Sequence, residues 1–76
     1  MNFPQFRKYK NDLSYFKIDS NEHFTEWKKM TNSWEEIQIE ATILPDRVFI
    51  TDMLEENSPY WDTISENEFD SFLKSI

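Results

Sequence analysis

Carboxylates are the residues best supplied for chemistry in this chain, with fifteen Asp and Glu against eight Lys and Arg. Three short-range pairs, Glu35/Glu36, Glu55/Glu56 and Glu66/Glu68, are candidates for sharing a proton or binding a hard cation. Their spacing argues against both uses. A calcium loop of the EF-hand type needs regularly placed acids around a turn glycine, and the chain has no glycine. Glycoside hydrolysis needs two carboxylates held apart in a cleft, which a chain of 76 residues seldom encloses. The acids therefore read as solvated faces and helix N-terminal charges. His23 is the one histidine and cysteine is absent, so a two-histidine zinc site, a facial triad and a Ser-His-Asp triad with a spare base all lack members. His23 reads as a surface residue near an element start. Without glycine there is no phosphate-cradling or dinucleotide-binding loop, because those loops need backbone approaches that side chains obstruct. No catalytic residue, cofactor site or metal site is expected.

Aromatic residues point elsewhere. Seven Phe, three Trp and three Tyr must supply much of the core, yet Trp27, Trp34, Trp61 and the tyrosines exceed what the inward faces require. Exposed aromatics are common anchors of protein interfaces. Trp34 is the strongest candidate, since strand alternation sets it on the face opposite Ile37 and Ile39, together with Glu36, Gln38 and Glu40. An aromatic anchor with an acidic rim suits a partner whose apolar pocket is bordered by Lys or Arg. Trp34, Glu36, Gln38 and Glu40 are thus the expected protein-binding residues.

The element that must carry them is the clearest in the chain. Ile37-Gln38-Ile39-Glu40-Ala41-Thr42-Ile43 alternates apolar and polar without a break, which defines a strand over about 34–44 with Ile37, Ile39, Ala41 and Ile43 inward. It is expected at the centre of the sheet. Leu44-Pro45-Asp46-Arg47 should end it, with Pro-Asp suited to a type I turn. Before it, residues 6–10 and 13–18 flank Asn11-Asp12 and read as a β-hairpin in which either Asp12 takes a position usually given to Gly or the loop is longer than two residues. Phe16 and Ile18 are the expected core residues of its second strand. Asp19-Ser20-Asn21-Glu22 has the form of a capping box, and Phe24, Trp27 and Met30 fall on one helical stripe, so a helix over about 20–30 is favoured over a strand across 24–30 that turns through Thr31-Asn32-Ser33.

After the proline, Val48, Phe49, Ile50, Met53 and Leu54 suit a helical face running to about Glu56 with Asp46 as N-cap, although Val-Phe-Ile-Thr is also β-prone. Asn57-Ser58-Pro59 is a break, and Tyr60 to Ile64 a short strand. Ser65-Glu66-Asn67-Glu68 is a second capping box, from which Phe69, Phe72, Leu73 and Ile76 run as an apolar stripe that must dock on the sheet.

The phrases Ser14-Tyr15-Phe16-Lys17-Ile18, Ile43-Leu44-Pro45-Asp46-Arg47 and Trp61-Asp62-Thr63-Ile64-Ser65-Glu66-Asn67-Glu68-Phe69 resemble those of a group of small uncharacterised bacterial α+β proteins. The resemblance spans most of the chain. Its motifs are turns and caps, and it implies neither an activity nor a site residue.

Net charge is −7, unevenly spread: residues 1–30 carry six Lys and Arg against four Asp and Glu, whereas residues 31–76 carry two against eleven. Such acidity repels phosphate backbones and disfavours direct nucleic-acid binding unless Arg7, Lys8, Lys10 and Lys17 form a separate basic face. The start of the chain has no apolar secretory segment, and no stretch is long enough to cross a bilayer; with no cysteine, a cytoplasmic protein without membrane contact is expected. Together these features describe a single small α+β domain over 1–76, an antiparallel or mixed sheet with an N-terminal hairpin, packed by a C-terminal amphipathic helix. The functional expectation is a non-catalytic interaction or regulatory protein that binds another protein, as a monomer or weak homodimer and without cofactors. The alternative is an acidic nucleic-acid mimic that inhibits a nucleic-acid-binding protein.

Overall fold

Among the described residues the fold consists of five antiparallel strands and two helices, in the order β1 (Gln5–Tyr9), β2 (Ser14–Ser20), β3 (His23–Lys29), β4 (Trp34–Glu40), α1 (Leu44–Leu54), β5 (Trp61–Ile64) and α2 (Glu66–Ser75). The computed structural model describes residues 2–55 and 58–76. Glu56 and Asn57, on which the expected helix end, one acid of a pair and part of the break fall, lie outside the described residues, as does Met1.

The sheet order is β4-β3-β2-β1-β5, so the N-terminal hairpin supplies the middle. Its turn is built without glycine. Asp12 takes a left-handed backbone with φ 62°, which an Asp side chain tolerates better than most. The Asp12 N–H donates to the Tyr9 carbonyl at 2.9 Å, the Leu13 N–H donates to Asn11 Oδ1 at 3.0 Å, and Lys8 Nζ reaches Asp12 Oδ1 at 2.7 Å. Alternation then sends Phe16 and Ile18, both fully buried, to one face of β2 and Tyr15 to the other.

Each face of the sheet has its own core. On one, Phe16, Ile18, Phe24 and Ala41 meet Ile50 and Met53 of α1. On the other, Phe6, Trp27 and Ile64 meet Phe69 and Phe72 of α2. The C-terminal helix docks as expected, with the Ser65 hydroxyl accepting from the Glu68 N–H at 3.1 Å. Only Phe69 and Phe72 of its stripe are buried, whereas Leu73 and Ile76 are exposed. Phe72 stacks on Tyr15 with ring centroids 3.7 Å apart, and Phe69 lies against Phe6 at 4.7 Å and Trp27 at 5.2 Å.

Three expectations are corrected. Residues 23–29 form a strand, not a helix: the Ser20 hydroxyl accepts from the Glu22 N–H two residues on and closes a tight turn between β2 and β3. The alternating strand ends at Glu40 and lies at the sheet edge, not the centre, so Ile37 and Ile39 are half-buried and Ile43 is 58% exposed. Leu44 to Arg47, expected to form a turn, open α1 with Ile43 as N-cap and Pro45 in the first turn, where a missing N–H is harmless.

The basic face that nucleic-acid binding would have required does not include Arg7, which is buried on the α1 face, away from Lys8 and Lys17 on the other side of the sheet. Its Nε donates to the Met53 carbonyl at 2.8 Å, Nη1 to the Phe6 carbonyl at 2.9 Å and Nη2 to Gln5 Oε1 at 2.7 Å. A cation on the terminal carbonyls of α1 complements the negative end of the helix and ties α1 to β1.

Candidate functional site

β4 pairs with β3 along its whole length, from His23 opposite Glu40 to Lys29 opposite Trp34. Its side chains divide by parity. Ile37 and Ile39 face the α1 core, with Ile39 opposite Phe24. Trp34, Glu36, Gln38 and Glu40 share the face on which α2 lies, and the helix covers only one end of that face.

At the covered end Trp34 is half-buried. Its ring meets Phe72 edge-on at 4.9 Å and Tyr15 at 5.9 Å, while Lys29 Nζ lies 5.2 Å from its centroid, within cation–π range. Trp34 and Glu36 line an open groove of about 700 Å³, closed by Trp27, the Asn32 turn and Ile76 at the end of the chain. Glu36, Gln38 and Glu40 are exposed. Glu40 borders a separate recess with His23 and Arg47, where His23 Nδ1 lies 2.9 Å from Asp19 Oδ2. The four residues thus line one strip, with Trp34 and Glu36 at a groove, Gln38 beyond it opposite Thr25, and Glu40 at the far end.

Backbone parity adds a property that side-chain patterning did not reveal. At the two ends of the β3–β4 ladder, Met30 N–H donates to the Ser33 carbonyl and Ala41 N–H to the Glu22 carbonyl, both at 2.7 Å. In an antiparallel pair the N–H and C=O of one residue point the same way and alternate along the strand. The odd-numbered residues from Ser33 to Ala41 therefore turn their polar groups toward β3. Trp34, Glu36, Gln38 and Glu40 turn theirs off the sheet, where β4 has no neighbour among the described strands. One of these groups, the Glu40 carbonyl, accepts from Thr42 N–H at 3.0 Å. Because both periods are two residues, the signal was present in the sequence but required knowing that β4 is an edge.

The two acidic pairs that lie wholly within the described residues are separated or exposed. Glu35 and Glu36 project to opposite faces, while Glu66 and Glu68 occupy the first turn of α2. Among the described residues no cluster of three His, Asp or Glu is placed to hold a metal ion, and no helix is long and apolar enough to cross a membrane. Burial raises the Tyr9 phenol above its ordinary range, with the Glu26 carboxylate adding to the effect. Both lie on the α1 face, away from the strip. In comparisons with known proteins the chain matches no family model, no curated protein and no solved structure.

Proposed function

We propose that this chain is a non-catalytic interaction or regulatory protein that binds another protein through Trp34, Glu36, Gln38 and Glu40. One observation carries the reading: a partly exposed tryptophan and an exposed glutamate line the same open groove, at the end of a strip that continues through two further polar residues. Such a surface combines an apolar anchor, which supplies affinity, with acids that speed the approach of a basic partner. The excess of acids after residue 30 supports the same polarity of partner. A cytoplasmic setting remains part of the proposal, in keeping with the lack of cysteine.

The test is affinity capture from extract of the source cells at low and high salt, followed by binding isotherms with the captured protein. Trp34→Ala, used where circular dichroism shows it folded, should weaken binding by about 2 kcal/mol, the hot-spot scale. Glu36→Gln with Glu40→Gln should chiefly remove the salt dependence. Equal isotherms for wild type and Trp34→Ala would overturn the proposal.

A further inference from the structure

The free edge of β4 specifies more about the partner, and the inference rests on the binding reading above. We infer that the partner contributes an extended segment that pairs with β4 as a sixth strand, with basic residues alternating with apolar ones. Three observations lead there. First, β4 is a terminal strand of seven residues, about 23 Å at roughly 3.3 Å per residue, and its even residues turn their backbone groups away from the sheet. Natural edges of this length are usually blunted by proline, a bulge, a covering segment or charged side chains, and of these β4 carries, among the described residues, charge alone, all of it negative. β4 contains no proline and its register with β3 runs without a break. The opposite edge, β5, has four residues.

Second, the edge is charged in one sense. Glu35, Glu36 and Glu40 form no ion pair among the described residues. A second copy of this chain would bring its own three glutamates alongside these and its own net charge of −7, so like charges oppose self-pairing. A basic strand would meet complementary charge instead.

Third, the two sides of the edge differ. On the α2 side an incoming strand would lie beside Glu36, Gln38 and Glu40, which suits Lys or Arg. On the α1 side it would lie beside the exposed Glu35 at one end and then the half-buried Ile37 and Ile39, and the latter two suit Val, Ile or Leu. Successive residues of a strand point to opposite faces, so one segment of alternating basic and apolar residues satisfies both sides. Main-chain hydrogen bonds give such strand addition its affinity, and the alternate side chains give it selectivity.

The probe is a capped synthetic peptide of alternating lysine and valine, titrated calorimetrically into the whole protein and followed by amide exchange in NMR. A second peptide of identical sequence carries N-methyl groups on the residues that would bond to β4. The protein variants are Gln38→Pro, which deletes one outward N–H while sparing the bonds to β3, Gln38→Ala and Trp34→Ala. The expected result is binding of the unmodified peptide that slows exchange of the Glu36 and Gln38 amides at least about tenfold. N-methylation should weaken binding about tenfold or more, and Gln38→Pro should bind about tenfold more weakly than Gln38→Ala, which loses the same side chain but keeps the N–H, a contrast of roughly 1.4 kcal/mol.

Equal affinity for the N-methylated peptide would overturn strand addition even if Gln38→Pro failed to fold. Binding that responds to Trp34→Ala but to neither backbone modification would also overturn it, and would leave the Trp34 surface standing. Sensitivity to the backbone modifications with none to Trp34→Ala would support strand addition and remove the tryptophan anchor. A dimer in sedimentation, with slow exchange at Glu36 and Gln38 before any peptide is added, would assign the edge to a second copy and overturn the inference.

Discussion

Phe72→Ala should strongly destabilise the protein, because this ring joins α2 to the sheet and to the candidate site at once. It is 8% exposed, stacked on Tyr15 at 3.7 Å and met edge-on by Trp34 at 4.9 Å. Replacing a buried Phe by Ala typically costs about 3–5 kcal/mol in lost transfer energy and residual cavity. Phe72 packs against Trp34, which lines the open groove and can relax toward it, so the lower end, about 3 kcal/mol, applies. Marginal stability of roughly 0.05–0.15 kcal/mol per residue gives about 4–11 kcal/mol for a chain of 76 residues, so one ring carries between a quarter and most of the total. With a urea dependence of about 1–1.5 kcal/mol per molar, the midpoint should fall by about 2–3 M. Urea titration followed by far-ultraviolet circular dichroism measures this directly. Leu73→Ala is the internal control: the side chain is 36% exposed, and its loss should cost about 1 kcal/mol or less. A Phe72→Ala midpoint within about 0.5 M of the Leu73→Ala midpoint would refute the reasoning, since it would mean that the aromatic stack does not hold the helix.

Ser65→Ala removes the acceptor for the Glu68 N–H and should cost about 1 kcal/mol, read as a lower urea midpoint with an unchanged slope. Ile39→Asp puts a carboxylate against the α1 core at Ile39 and should destabilise by about 1–3 kcal/mol, whereas Glu40→Lys, on the exposed side, should stay within about 0.5 kcal/mol; equal thermal midpoints would mean that the faces of β4 are misassigned. Tyr9 has its phenol pKa raised in the fold by burial and then by Glu26, so the unfolded chain loses this proton first as pH climbs past about 10. The stability linked to it is present below pH 10 and declines above it, and Tyr9→Phe should make that alkaline decline shallower in pH-dependent urea titrations.

The elements legible in the sequence are those whose pattern depends on neighbours along the chain. The hairpin turn, Phe16 and Ile18 on one side of β2, and the Ser65–Glu68 cap all rest on contacts within a few residues. β3 was misread because helices cover both faces of the sheet. Phe24 faces α1 and Trp27 faces α2, and Thr25 between them is also buried, so the period of two disappears and a spacing of three remains to imitate a helix. Asp19 added to the error: the acceptor three residues before Glu22 meets His23 Nδ1 at 2.9 Å instead of capping a helix, and the neighbouring Ser20 hydroxyl closes the turn. β4 was read correctly as a strand and wrongly as central for the complementary reason: clean alternation marks a strand with one wet face, and here that is the edge. The burial of Arg7 left no signal in the sequence, because the Met53 carbonyl that draws it under α1 lies 46 residues away. Of the candidate site, the side-chain strip was legible; its outward-turned backbone was not, since that depends on which strand lacks a neighbour.

The claim that the partner meets Trp34, Glu36, Gln38 and Glu40 is tested most directly by hydrogen exchange of the whole protein, alone and saturated with its captured partner. Slowed exchange is expected across residues 34–40, strongest at the outward amides of Glu36 and Gln38. Protection confined to the exposed apolar surface at Ile43, Leu44 and Val48, with none across β4, would contradict it.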